Sequence, residues 1–490
     1  MSKTLSELLQ NVTVLSQAGS GNPVIEAIVF DSRKVAPNTL FVATRGSATD
    51  GHLYIAKAIE LGASVIVCET VPSELNSEVI YVQVANSSLV LGMLASAFYG
   101  YPSQQLKLVG VTGTNGKTTI ATLLYRLTTL LGYKAGLFST VANYIVNQKV
   151  DATHTTPDSV KLNELMAQMV EAGCDYCFME VSSHAVDQHR IAGLTFAGAI
   201  FTNLTHDHLD YHKTFDAYLK AKKGFFDGLS REAFALTNMD DKNGMVMLQN
   251  TKADKHTYSI RDVADFKARI VDSAFEGMQL EVDGNELHTP FVGHFNVSNL
   301  LAVYGAACLM GHNRSEVLVA LSQLVPVDGR FETIRSVRNV TAVVDYAHTP
   351  DALKNVIETI NQIRQAGQQL ITVVGAGGDR DNTKRPVMAR EAVKGSNKVI
   401  LTSDNPRSEE PEEIIRQMMA GVDFSDRIKV VSIVNRREAI RTASMLANPG
   451  DIILIAGKGH ETYQEVKGVK YHFDDREEIR QIFQEQNNLN

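Results

Sequence analysis

Short runs of apolar and β-branched residues alternate with longer stretches of helical periodicity along almost the whole chain. The runs include residues 65–68, 106–111, 176–179, 197–201, 343–345, 371–374, 398–401 and 452–455. The helix-like stretches include 118–131, 159–172, 352–365 and 436–447. Strands of this kind, separated by helices, build parallel sheets covered on their faces. The pattern predicts an α/β architecture. Hydrophobic residues make up 44% and charged residues 21% of the chain. These near-average values exclude disorder, collagen-like repeats and coiled coil as the main plan.

The 490 residues suggest about three domains at roughly 150 residues each. Tyr99-Gly-Tyr-Pro-Ser103 interrupts a helical pattern before a fresh strand, and Val327-Asp-Gly-Arg-Phe331 does the same further on. The expected division is 1–99, 100–330 and 331–490, with a small antiparallel excursion over residues 253–290. A net charge of −8 argues against general nucleic-acid binding. No apolar run approaches the roughly 18–20 residues that span a bilayer, and residues 1–14 lack a signal-peptide core. The four cysteines, Cys68, Cys174, Cys177 and Cys308, sit in apolar contexts and form no disulfide framework. Cys174 and Cys177 read as small apolar residues entering a buried strand, with a metal or redox pair as the alternative. A cytoplasmic protein is expected.

Residues 106–111 form a buried strand that runs into Thr112-Gly-Thr-Asn-Gly-Lys-Thr-Thr119 and then a helix. A glycine-rich turn there aims backbone N–H groups and a helix N-terminus at one point, which suits phosphate. Lys117 would reach the terminal phosphates and the Thr118 hydroxyl would bind Mg2+. The common phosphate-loop pattern fails at one position. Val111 stands where the first glycine belongs, and Gly110 comes one residue too early. ATP or GTP binding is expected, which leaves a ligase or kinase, a nucleotide switch or a plain binding module.

Two further strand ends carry candidate chemistry. Glu180, in Phe178-Met-Glu-Val-Ser-Ser-His184, can take Mg2+ beside the phosphates. Residues 206–212 hold His206, Asp207, His208, Asp210 and His212, a set that suits Mg2+, Mn2+ or Zn2+. Lys222 follows on a helix and by itself reads as a surface lysine.

Taken together, G-T-N-G-K-T-T, M-E-V-S-S-H, T-N-L-x-x-D-H-L-D-x-H, Y-x-x-A-K, G-H-F-N-x-x-N from Gly293, D-G-R-F-E from Asp328 and D-Y-A-H-T-P from Asp345 occur in an order that resembles the Mur ligase family. These are ATP-dependent amide-bond-forming enzymes of bacterial cell-wall precursor synthesis, with folylpolyglutamate synthetase among their relatives. The resemblance spans essentially the whole chain. It implies a smaller N-terminal α/β domain, a central P-loop-type parallel-sheet domain and a C-terminal Rossmann-like domain. It also implies that Gly113, Thr114, Asn115, Gly116, Lys117, Thr118 and Thr119 contact ATP. Thr118 and Glu180 would hold one Mg2+ and His208 would lie by a second. Lys222 would carry CO2 as N6-carboxylysine, an anion that can sit beside Mg2+. Asn296 and Asn299 would lie near adenine, with Arg330 and Asp345 at the nucleotide. Asp345 reads equally as a strand-end carboxylate.

The resemblance also implies the substrates. Phe30, Ser32, Ser47, Ala48 and Thr49 match uridine-nucleotide segments, which folylpolyglutamate synthetases lack. Thr155, Thr156, Ser182, Gln188 and Arg190 match contacts to a sugar-peptide. Asp404-Asn405-Pro406-Arg407 resembles the signature of members that add meso-2,6-diaminopimelate to UDP-MurNAc-L-Ala-D-Glu. Arg407 can grip the distal carboxylate that L-lysine lacks. Arg380, the Gly457 carbonyl and Glu461 would complete that pocket. The expected protein is a cytoplasmic, monomeric ligase without nucleic acid or membrane insertion, the alternatives being a lysine-adding or a folylpolyglutamate-synthetase-like ligase. The acidic residues 409–413 read as a helix N-terminus.

Overall fold

The computed structural model describes residues 2–46, 49–150, 155–205, 207 and 209–487, and only the backbone of 209 and 210. Ser47, Ala48, His154, His206 and His208 therefore lie outside the described residues.

Three helix-covered sheets follow one another along the chain. The first has the strand order Ser16–Ala18, Ile80–Gln83, Ala63–Cys68, Thr39–Val42, Ala27–Val29, parallel except at its first pair. In the second, the parallel core runs Ala135–Phe138, Tyr176–Glu180, Lys107–Thr112, Gly198–Phe201, Phe234–Asn238, Asp254–Ser259. Antiparallel hairpins extend it at both ends. Over residues 253–290 the chain first adds Asp254–Ser259 to the parallel core. Only Phe266–Ala274, Gly277–Val282 and Asn285–Thr289 pair antiparallel with one another. The expected excursion is thus a continuation of the main sheet. The third sheet runs Glu332–Arg335, Thr341–Asp345, Ile452–Ala456, Leu370–Val374, Lys398–Leu401, Val430–Ser432, parallel after its first pair.

Strand periodicity sets the layers. In Lys107–Thr112, Val109 and Val111 face helices Lys117–Leu130 and His294–Leu309, while Leu108 faces Ser159–Glu171 and Phe215–Asp227. Gly110 points with Leu108, and a Cβ there would come within 2.5 Å of the Phe225 ring. The early glycine is therefore a packing glycine, which lets the helix that carries Lys222 approach the sheet. All four cysteines are free, and Cys177 is fully buried in its strand, as an apolar core residue would be. Helix Pro411–Met419 carries Glu412 and Glu413 in its first turn, in keeping with the acidic run. Among the described residues no helix is long and apolar enough to cross a membrane.

Behind the third sheet, Arg436 on helix Arg436–Leu446 meets Asp475 on helix Asp475–Asn487 through two parallel bonds of 2.8 and 2.7 Å, with neither side chain exposed. Arg436→Met leaves a buried carboxylate unpaired and is expected to destabilise this part of the fold by about 3–5 kcal/mol. Urea unfolding should show that as a lower midpoint. The double replacement Arg436→Met, Asp475→Leu should recover much of the loss.

Candidate active site

Parallel strands present their carboxyl ends at one edge, and loops leaving that edge form the usual ligand crevice. Here the carboxyl edges of the second and third sheets both line a cleft of about 1410 Å3. Contacts that cross it among the described residues include those of Arg330 Nη2, which donates to the Thr118 hydroxyl (3.3 Å), of Asn115 Nδ2, which donates to Asp351 (3.2 Å), and of Lys384 Nζ, which donates to Asp207 (2.5 Å).

On the central side the strand Lys107–Thr112 enters the turn 113–116, and helix Lys117–Leu130 begins at once. Gly113 has φ +150°, and a Cβ there would lie 1.8 Å from the Thr202 hydroxyl. Gly116 has φ +89°, and its Cβ would lie 2.7 Å from Asn299 Oδ1. Both need glycine, one for closeness and both for backbone shape. The turn is pinned from outside. Asn115 N donates to Asn203 Oδ1 (2.9 Å), the Thr202 hydroxyl donates to Asn115 O (2.6 Å), and the Thr114 hydroxyl shares a bond with Tyr218 (3.1 Å). Lys117 Nζ donates to the carbonyls of Gly113 (2.9 Å) and Thr114 (2.8 Å), so its charge lies over the turn. Burial pushes this ammonium below its ordinary range, against the pull of Glu180 and Asp207.

Thr118 and Thr119 are buried in the first helical turn. Glu180 ends its strand at 1% exposure and accepts from Thr140 N (2.7 Å) through one oxygen. Lys222 is 1% exposed, not a surface lysine, and donates to Gly113 O (2.8 Å). Burial and the neighbouring Lys117 push its ammonium well below the ordinary value. Thr118, Glu180, Lys117 and Lys222 all line the cleft. One carboxylate and one hydroxyl beside a phosphate loop make the oxygen-rich set that Mg2+ completes with phosphates and water, so these residues fit that ion. Among the described residues no three His, Cys, Asp or Glu converge as a closed metal site.

Asn296 and Asn299 are buried in helix His294–Leu309, and Asn299 packs on the turn at Gly116. Arg330 lies over the Tyr346 ring, 4.5 Å from its centre. Asp345 ends its strand, accepts from Phe331 N (2.7 Å), and is pushed up to about 6 by burial against the pull of Arg330. It ties the 327–331 hinge to the third sheet and also lines the cleft.

Next to the loop, the Thr155 hydroxyl accepts from that of Thr140 (3.2 Å), and the Thr156 hydroxyl donates to Glu180 O (2.9 Å). Ser182 caps helix Ser183–Asp187 by accepting from Ala185 N (3.1 Å). Arg190 donates to Thr156 O (2.8 Å) and, through Nε and Nη2, to Gln188 Oε1. Gln188 does not line the cleft and acts here as a brace for Arg190.

On the opposite side the turn 404–407 lies at the same sheet edge as Gly457 and residues 375–380. Asn405 is buried, its Nδ2 donating to Glu461 Oε2 (2.8 Å). Arg407 has φ +52°. Its N–H donates to Glu465 O (3.0 Å) and its carbonyl accepts from Lys467 N (2.6 Å), so the hairpin Tyr463–His472 fixes the strained turn. The Arg407 guanidinium donates to Gly378 O (2.6 Å) and lies 3.6 Å from the Glu465 carboxylate. Burial, then Asp404, push the Glu461 carboxyl up, against Lys458. Arg380 is exposed and lines the cleft, whereas Pro406 does not and instead backs on Gly378.

Phe30, Ser32 and Thr49 do not join this cleft. They follow the neighbouring parallel strands Ala27–Val29 and Thr39–Val42, at the carboxyl edge of the first sheet. Sequence reasoning missed Lys458, Glu465 and the Lys384–Asp207 pair. Lys458 stands between Gly457 and Gly459, and a lysine between two glycines reads as a solvated turn.

Models of known families cover most of the chain. The Mur ligase family catalytic domain matches residues 24–99, the Mur ligase middle domain 111–307, and the Mur ligase glutamate ligase domain 329–459. A UDP-N-acetylmuramoyl-L-alanyl-D-glutamate–2,6-diaminopimelate ligase of Phocaeicola vulgatus is 58% identical over 479 residues, 98% of this chain and 99% of that protein. A solved structure of a ligase of that name is 33% identical with a TM-score of 0.70, covering 99% of this chain and 100% of the other. The MurF ligase of Thermotoga maritima in complex with ADP shares the fold, at 18% identity, TM-score 0.62, and coverage of 94% and 98%.

Proposed function

The chain belongs to the Mur ligase family, and from that premise we propose that it adds meso-2,6-diaminopimelate to UDP-MurNAc-L-Ala-D-Glu with ATP, in peptidoglycan precursor synthesis in the cytoplasm. The observation that carries this reading is the 58% identity, along 98% of the chain, to a ligase of that name. The pocket chemistry supports it. Arg407 suits a distal carboxylate and Glu461 a distal ammonium, the two ends of a zwitterion that L-lysine does not have.

Residues 1–99 hold the uridine end, 100–330 the ATP, and 331–490 the amino acid. The active unit is read as a monomer. The carboxylate of D-glutamate attacks the γ-phosphorus and ADP leaves. The amine of diaminopimelate then attacks the acyl carbon, inorganic phosphate leaves, and the nitrogen gives up a proton. Lys117 and the loop N–H groups balance charge on the transferring phosphate. Arg190 and Thr156 orient the sugar-peptide. The contacts that cross the cleft bring the two sheets together over the acyl phosphate, which water would otherwise consume. Thr118 and Glu180 would hold Mg2+, which would supply Lewis-acid neutralisation of phosphate charge. Lys222, as a carbamate, would add an anion there. Its burial favours the neutral amine that CO2 requires.

Phosphate release with UDP-MurNAc-L-Ala-D-Glu, ATP and Mg2+ tests the reading. Release should require an amine and should favour meso-diaminopimelate over L-lysine by at least about a hundredfold in kcat/KM. Equal use of both amines would sink the specificity. No release with either would sink the substrate assignment.

A further inference from the structure

Lys458 is a fully buried lysine, at 0% exposure, inside the pocket assigned to the amino acid. A buried ammonium is costly unless its protons are used. Here Nζ donates to Asn405 Oδ1 (3.1 Å) and Glu461 Oε2 (3.3 Å), and it lies over the Tyr463 ring. Asn405 Nδ2 closes the ring onto the same Glu461 oxygen (2.8 Å), while Asn405 Oδ1 also accepts from Glu465 N (2.9 Å). Every heteroatom of the Asn405 side chain is therefore spoken for, and its orientation is fixed by Lys458 on one side and the hairpin on the other. Glu461 Oε2 is committed to this ring. Its other oxygen has one long contact, 3.5 Å from the Tyr346 hydroxyl, and Glu461 lines the cleft.

We propose that Lys458 is a positioning residue for the amino-acid substrate: it holds Glu461 in one rotamer, and Asn405 in one flip, so that a carboxylate oxygen faces the distal ammonium. This rests on the diaminopimelate reading above. Lys458 does not touch the reacting atoms. It also balances two neighbouring acids, the buried Asp404 and the half-buried Glu461. Removing it takes away the charge that opposes the upward push of burial and Asp404 on the Glu461 carboxyl.

The test is steady-state kinetics of Lys458→Met and Lys458→Gln, Glu461→Gln and the double variant Lys458→Met, Glu461→Gln, with each substrate varied in turn. Lys458→Met should raise the KM for meso-diaminopimelate by about tenfold to a hundredfold, the loss typical of one charge-assisted hydrogen bond. Its kcat, and its KM for ATP and for UDP-MurNAc-L-Ala-D-Glu, should stay within about threefold of the parent. Because Lys458 acts through Glu461, the double variant should be no worse than Glu461→Gln alone. Lys458→Gln, which keeps a donor, should recover part of the KM. A uniform fall of all parameters together with the melting temperature would make Lys458 a structural residue and overturn the proposal, as would an unchanged KM for diaminopimelate. If the parent enzyme does not use diaminopimelate, the functional reading fails first and the proposal falls with it. Should Lys458→Met not fold, the cycle is run with Lys458→Gln and judged by the same non-additivity.

Discussion

Lys117→Ala is expected to lower kcat about a thousandfold while leaving the KM for diaminopimelate near its parent value. The size follows from what the side chain does in the turn. Removing one preorganised donor from a site where charge develops costs about a hundred- to a thousandfold. Lys117 is a charged donor in a half-buried position at the turn, so the upper end applies. Structural damage should be small. Among the described residues the lysine bonds to the carbonyls of Gly113 and Thr114, while Asn203, Thr202 and Tyr218 hold the turn independently. The melting temperature should accordingly move by only a few degrees. Lys117→Arg should not rescue, because a planar guanidinium cannot follow the tight path from helix start to turn. Isotopic exchange between ADP and ATP, dependent on UDP-MurNAc-L-Ala-D-Glu, isolates the phosphorylation step and should fall in parallel. A variant within tenfold of the parent would remove Lys117 from the transferring phosphate.

The phosphate loop was legible because its function is local: strand, turn and helix start lie within a dozen consecutive residues. What the local pattern could not explain was Gly110. Its reason is Phe225, more than a hundred positions away, and only packing of the Lys222 helix on the sheet reveals it. Lys222 shows the same limit from the other side. Its sequence context is that of a surface lysine, and a helix face becomes buried only when the sheet it packs on is known. The antiparallel extension was partly legible, through its turn residues. The parallel pairing of Asp254–Ser259 was not, because strand direction is set by the crossover and leaves no mark on composition. In the amino-acid pocket the turn 404–407 stood out by its proline and arginine. Its brace, the hairpin Tyr463–His472, did not, since an exposed two-stranded hairpin carries a weak signal. The tie between Lys384 and Asp207 joins distant segments and is invisible before the two sheets face each other.

Arg407→Asn should lower kcat/KM for meso-diaminopimelate about a thousandfold and bring the preference over L-lysine close to unity. Asparagine is the informative replacement. Arg407 sits at φ +52°, and asparagine tolerates left-handed backbone better than most residues, so the turn keeps its shape. Both backbone bonds to the hairpin survive, since neither involves the side chain. What disappears is the guanidinium. With diaminopimelate bound, a carboxylate is then desolvated without its bidentate partner, and that penalty falls on this amine alone. With L-lysine the penalty never existed. The parent instead leaves Arg407 facing an end that carries an ammonium and no carboxylate, so the variant should lose nothing on lysine and can gain. Discrimination of this kind rests on the unpaired buried charge in the wrong complex as much as on the good contact in the right one. The nearby Glu465 carboxylate, 3.6 Å from the guanidinium, softens the contrast by partly satisfying Arg407 when the substrate cannot. Glu465→Gln in the parent should therefore sharpen rejection of L-lysine by a few-fold. If Arg407→Asn keeps the full preference for diaminopimelate, the distal carboxylate is read elsewhere, and Arg380, exposed at the same edge of the cleft, becomes the side chain to replace.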